Sequence, residues 1–211
     1  MTGRPRSGAA RALVLLALVA GCTPAPEEGA FRVDGAQILA DAREAGASPE
    51  QLAVLELAVE RGSMSFEDLA SLQPAAIECI EAAGLRVLER PPEEVFPGVM
   101  RPTFLVESSH EHLSEEEMRA QWERISSCTT RHTAFADTFY VDQPSSVEAH
   151  DAALLDAAEE IRACLAERHV ELAPGAKAGE IVGALAQDAE ANGSLVDWTP
   201  CYEGGSMLVE W

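Results

Sequence analysis

The chain has 211 residues, with 15 Lys+Arg against 36 Asp+Glu and a formal charge of −21 at pH 7. A surface this acidic, with no basic cluster to interrupt it, repels phosphate backbones and anionic headgroups, which excludes nucleic-acid binding and any membrane contact made through a basic face. Apolar content is ordinary for a globular protein, so the chain can bury a core and disorder is not the default.

Arg4, Arg6 and Arg11 precede an apolar run from Ala12 to Ala20 that is too short to anchor stably across a bilayer. A charged start, a short apolar run and small residues before a cut are the build of a secretory signal. The run closes in Leu18-Val19-Ala20-Gly21-Cys22, which resembles a bacterial lipoprotein signal ending in a lipobox. The resemblance implies that residues 1–21 are removed, that Cys22 is acylated, and that the protein is lipid-anchored at the cell membrane on its extracytoplasmic side. The signal takes three arginines and no acid, so the 190 residues from Cys22 onward hold 12 basic and 36 acidic side chains, a formal −24. Residues 22–33, the cysteine and the Pro-, Ala- and Glu-rich stretch TPAPEEGAFRV, read as the anchor and a flexible tether.

A first helix is predicted over Gly35–Glu44, with Asp34 as N-cap and Gly46 as stop. Ser48-Pro49-Glu50-Gln51 opens a second with a box-like cap and a Leu52, Leu55, Val59 stripe, ended at Gly62. Ser65-Phe66-Glu67-Asp68 caps a third. The stretch from Gly62 to Asp68 could pass for the end of a calcium loop, but the earlier ligand positions would fall on Leu57, Val59 and Arg61, which cannot supply carboxylates. Pro74 divides or kinks the third helix, which continues through Cys79 to Gly84. Leu85–Leu88 alternates as a strand, an irregular stretch passes Phe96-Pro97-Gly98, and a second strand covers Thr103–Glu107. Ser114 then caps a helix that carries Trp122 and Cys128.

A break at Pro144-Ser145-Ser146 separates residues 34–143 from a second half, 144–211. There a capping box at Ser145–Glu148 suggests one long helix from Val147 to Arg168, followed by an alternating Val170-Glu171-Leu172. Overlaying Cys164 on Cys79 places His169 on Gly84, and histidine tolerates a left-handed cap. A turn at Pro174-Gly175, a helix over Lys177–Ala191, a stop at Gly193 and a strand over Ser206–Trp211 complete the chain. Asn192-Gly193-Ser194 fits a glycosylation sequon but reads here as a helix-ending turn. The expectation is an α+β fold, mostly helical, with short strands in two disulfide-stapled helix-strand-(strand)-helix halves.

With Cys22 assigned to lipid, Cys79, Cys128, Cys164 and Cys201 remain, enough for two disulfides outside the cytosol. Four cysteines allow three connectivities; position along the chain favours Cys79–Cys128 and Cys164–Cys201, one staple per half. No CxxC, HExxH, GxSxG or SxxK pattern is present, and the paired glutamates read as a solvated acidic face, so no catalytic residue and no cofactor are expected. His110-Glu111-His112 is the one candidate metal-ligating cluster. Its imidazoles would lie about 7 Å apart on one side of an extended segment, with Glu107 or Glu115 to complete a site. It sits in a polar loop, and His132, His150 and His169 are scattered singly, so a solvated loop is expected and a metal-binding protein or metal-dependent enzyme is the alternative.

Three stretches, Ser48 to Leu52, Gly62 to Leu69 and Glu78 to Leu85, followed by Trp122, Cys128, Tyr140 and Gln143, together resemble a broad set of uncharacterised secreted and lipid-anchored proteins of actinobacteria. The resemblance covers residues 48–143; Pro74 and the last 60 residues depart from it. It implies an export route and a disulfide-stapled α+β fold, and supplies no catalytic residues. The functional expectation is a non-enzymatic binding module whose acidic surface suits a cationic protein or peptide.

Overall fold

The computed structural model describes residues 34–107, 114–191 and 201–202. Cys22 and its flanks, His110 and His112, the Asn192-Gly193-Ser194 turn and the strand expected over 206–211 all lie outside these residues. Within them the fold is α+β and mostly helical.

Helices α1 (Gly35–Glu44) and α2 (Pro49–Arg61) start as their capping residues dictate. Asp34 accepts from the N–H of Ala36, and Ser48 accepts from the N–H of Gln51. Gly62 closes α2 in the left-handed region, φ 70°. Ser65 and Asp68 form a reciprocal capping box at the start of α3 (Phe66–Ala70). Pro74 divides rather than kinks: α4 (Gln73–Ala82) begins anew with the proline in its first turn, where no amide donor is needed.

The stretch expected to be irregular is a β-ribbon. Strands β1 (Arg86–Glu89) and β4 (Phe104–Glu107) pair antiparallel, and inside them β2 (Glu93–Phe96) and β3 (Val99–Arg101) form a tight hairpin over Pro97-Gly98. The N–H of Arg90 donates to Thr103 across the join. Pro91, Pro92 and Pro102 cannot donate to a ladder, so they interrupt one long hairpin and make it read as loop from sequence. The tip of the ribbon is its buried end: Phe96 and Val99 enter the core, and Arg101 makes a two-pronged pair with Asp137.

Helix α5 (Glu115–His132) opens on the expected Ser114–Glu117 capping box. It turns at Thr133 into α6 (Ala134–Asp142), a helix for which no local start signal was visible. The long helix expected over 147–168 is two: α7 (Pro144–Asp156) and α8 (Ala158–Glu167), bent at Ala157. No glycine or proline marks this bend; it lets Leu154 and Ile161 both reach one core. Gln143, not Ser145, occupies the N-cap of α7. His169 does take the left-handed cap, φ 65°, as Gly84 does at φ 82°, and in both places the next amide reaches back five residues, Leu85 to Ile80 and Val170 to Leu165. The likeness ends there, because residues 170–172 form no strand. After a turn at Gly175, α9 (Ala178–Ala191) completes the described elements.

Two hydrophobic cores result. Ile38, Leu55, Leu69, Phe96, Ala136 and Phe139 centre the first, between α1, α2, α3, α6 and the ribbon tip; Leu154, Ile161, Leu165, Ile181 and Leu185 centre the second, between α7, α8 and α9. Helix α7 joins them, and at its midpoint the buried His150 ring packs edge-on against Phe96, centroids 4.7 Å apart.

Buried amides set the corners. Gln51 is fully buried and does not fold back onto its own cap; its Nε2 donates to the carbonyl of Thr130 and its Oε1 accepts from the N–H groups of Phe135 and Ala136. The orphan donors of α6 are thus capped from another helix. Gln143 does similar work, accepting from the N–H of Met64 and donating to its carbonyl and to Ser146. Gln51→Leu leaves one buried and two half-buried backbone groups without their side-chain partner, and the expected loss is about 2–3 kcal/mol of unfolding free energy in urea titrations, at nearly unchanged volume. Gly35→Ala is expected to destabilise by about 1–3 kcal/mol despite alanine's better helix propensity. A Cβ there would lie 2.8 Å from the ring of the buried Phe139, an overpacking that melting temperatures would reveal.

Candidate functional site

The cysteines are the sequence-predicted residues that the structure brings together. Cys79 on α4 is bonded to Cys128 on α5, and Cys164 on α8 to Cys201, with Cα separations of 5.7 and 5.4 Å. The first bond ties two helices that pack side by side, with Ala76 and Ile80 buried on α4 and Gln121 and Cys128 buried on α5. The second holds residue 201 against the second core. All four thiols are thereby committed, and none is left as a nucleophile.

A shallow cleft of about 470 Å³ opens over the first disulfide, between Ala83, Ala120, Glu123, Arg124 and Ser127. Its one cation is occupied, because the Arg124 guanidinium donates to the carbonyl of Ala83 and closes the end of α4. Glu107 and Glu115, the carboxylates placed beside the His110–His112 loop, stand at the end of β4 and the start of α5; Glu107 pairs with Arg86 at 2.9 Å. Among the described residues no group of three His, Cys, Asp or Glu side chains converges as a metal site. The Gly62–Asp68 segment caps a helix: Asp68 accepts from the Ser65 N–H and pairs with Arg61 at 2.7 Å. Burial pushes the Asp68 carboxyl up, but hydrogen bonds from Ser65 and Arg61 outweigh it and hold the group below its ordinary range.

No family model, curated protein or solved structure matches the chain. What the site can do must therefore be read from its own residues. Away from the cleft, three residues stand in surroundings that the sequence reading does not foresee. Asp188 on α9 is wholly buried, with both carboxylate oxygens within 2.8 Å of Arg168 Nε, and so fastens the end of α8 to α9. His150 touches Asp151 at 3.2 Å as well as Phe96. His132, in the last turn of α5, has a buried Nδ1 without a hydrogen-bond partner. No spacing signal marks Asp188 or the ring of His150 as interior, because Arg168 and Phe96 lie elsewhere along the chain. Asp188 and His150 are fixtures of the interior, and His132 is half-buried.

On the outer side, the base of the ribbon is exposed on one face. Leu88 and Leu105 stand opposite each other across β1 and β4, 39% and 47% exposed, with the Arg86–Glu107 pair beside them. Trp122 is exposed on α5. Helices long and apolar enough to cross a membrane are absent among the described residues.

Three outcomes follow. Alkylation and intact-mass analysis of the native chain from Thr23 onward should find no free thiol before reduction and four after it. The double variant Cys79→Ser/Cys128→Ser should lose roughly 3–4 kcal/mol of stability, the chain-entropy value for a loop of this length. His132 titrates below the ordinary histidine value of 6.5, chiefly through burial and further through Arg131, with Glu50 opposing. A lowered folded pKa means that the unfolded chain takes up the proton first. Stability is then full above 6.5 and falls as pH drops through 6.5 toward the folded value. In His132→Phe the urea midpoint should lose that part of its acid slope.

Proposed function

We propose that the chain is an extracytoplasmic lipoprotein, held at the cell membrane by acylated Cys22, whose folded part is a non-enzymatic module binding a cationic protein or peptide. The observation that carries the reading is the charge of −24 after residue 21, on a chain whose signal ends in Leu-Val-Ala-Gly-Cys. Two disulfides in the fold agree with an oxidising compartment. A lipid supplies the membrane attachment that the acidic surface cannot, and the tether of residues 23–33 gives clearance from the bilayer. Complementary charge then speeds encounter with a basic partner and discriminates against acidic ones.

The anchor is tested by Cys22→Ser, which should move the protein out of the membrane fraction; full retention there would overturn the lipoprotein reading. The partner is tested with polylysine and the chain from Thr23 onward, which keeps every described element. Binding should weaken as salt rises from 20 to 300 mM, and salt-insensitive binding would sink the charge argument. Stoichiometric zinc or copper binding, lost in His110→Ala/His112→Ala, would replace this reading with a metal-binding one.

A further inference from the structure

The base of the β-ribbon is a sheet of two strands, and a two-stranded ribbon has an edge on each side. Strand β1 runs back along α4, whereas no described helix packs as extensively on β4. Which backbone groups face that outer side follows from the register. The Arg90 N–H donates to Thr103, so this pair is hydrogen-bonded, and alternation makes Leu88/Leu105 and Arg86/Glu107 hydrogen-bonded too. Val87/Val106 and Glu89/Phe104 are then the non-bonded pairs. On β4 the N–H and C=O groups of Phe104 and Val106 therefore point away from β1, and among the described residues β4 pairs with no second strand. Beside this open edge lie the exposed Leu105 and its cross-strand neighbour Leu88.

We propose that the outer edge of β4 is the peptide-binding edge of this protein, and that it takes an extended basic segment as a third strand. The proposal rests on the reading of the chain as an acidic binding module and gives that module its place and its sequence preference. Strand addition supplies affinity through main-chain hydrogen bonds to Phe104 and Val106, and specificity through alternate side chains. On the exposed face the incoming strand meets Leu105 and, two residues along, Glu107. The matching segment therefore carries an apolar residue and, two positions away, a Lys or Arg. Glu107 already touches Arg86, but both side chains are more than half exposed, and such a pair is held too weakly to prevent Glu107 from serving a second cation. The ribbon's own acids Glu89 and Glu93, and the formal −24 of the chain from Cys22 onward, favour a basic ligand. Of the ribbon's three arginines, Arg86 is paired with Glu107 and Arg101 with Asp137.

The test uses the labelled heptapeptide KTLTKTK, its serine version KTSTKTK, and the chain from Thr23 onward, with binding read by fluorescence anisotropy at low salt. The leucine peptide should bind at least tenfold more tightly than the serine one. Leu105→Ser should remove that preference, and Val106→Pro, which deletes an outward N–H and leaves the β1 ladder intact, should weaken binding at least tenfold. Leu57→Ser, at an exposed leucine on α2, should change nothing. In the unaltered protein, bound peptide should slow amide exchange at Phe104 and Val106, a readout independent of how any variant folds. Salt-sensitive binding that survives both ribbon variants, or unchanged exchange at the two amides, overturns the placement and leaves the acidic-module reading standing. Polylysine binding without binding of the heptapeptide does the same. Failure of both ligands at low salt overturns the placement and the reading together.

Discussion

The structure depends most on one buried amide. Gln51 starts α2 as its third helical residue, yet its side chain belongs to a different corner, where α5 ends and α6 begins. A helix end placed in the interior has backbone groups that water cannot reach, and each unpaired group costs more than a hydrogen bond returns. One glutamine answers a carbonyl at the end of α5 and two N–H groups at the start of α6. The backbone N–H of Ser48 adds a bond of 2.6 Å to the carbonyl of Arg131, so α2 grips the corner by main chain and side chain together. The position of α6, and through it Phe139 at the centre of the first core, follows from that grip.

The remaining architecture is a division of labour between buried and stapled parts. Where apolar side chains suffice, in the two cores, no covalent bond is present within the first and one secures the periphery of the second. The α4–α5 pair lies outside both cores, and there a disulfide adds a covalent tie. Helix α4 runs beside the ribbon, whose tip is fixed in the first core while one face of its base is exposed. A rigid tip and an open base are what an interaction edge needs: the strand is presented without having to order itself on binding, and so avoids that entropic cost.

The acidic surface and the fold are separable matters. Net charge governs encounter, solubility and which partners are repelled, and does not choose a topology. Some acids are used locally all the same. Glu117 is held below its ordinary range by the backbone N–H and the hydroxyl of Ser114, and Asp68 serves Ser65 and Arg61. Asp137 and Asp188 bind the arginines that hold the ribbon tip and the end of α8. Glutamates such as Glu115 and Glu116 have no described partner of this kind and contribute to the field around the molecule.

By itself the sequence determined the events that are settled within three or four residues. Helix starts at Asp34, Ser48, Ser65 and Ser114, stops at Gly62 and Gly84, the division at Pro74 and even the left-handed His169 were legible, because a cap and the donors it serves are chain neighbours. Cysteine pairing was legible by position, since each pair closes a moderate loop within its own half. The tertiary structure alone decided that residues 93–101 are a hairpin, that α6 forms without a cap of its own, that α7 bends at Ala157, and that Val170 finds no strand to join. It also decided which face of the ribbon stays open. For α6 the deciding partner lies far along the chain, up to 85 residues between Gln51 and Ala136, and the hairpin tip is held by a core drawn from α1, α2, α3 and α6. Hydrogen bonds and packing over such distances exist only once the chain has folded, so no local pattern could carry them.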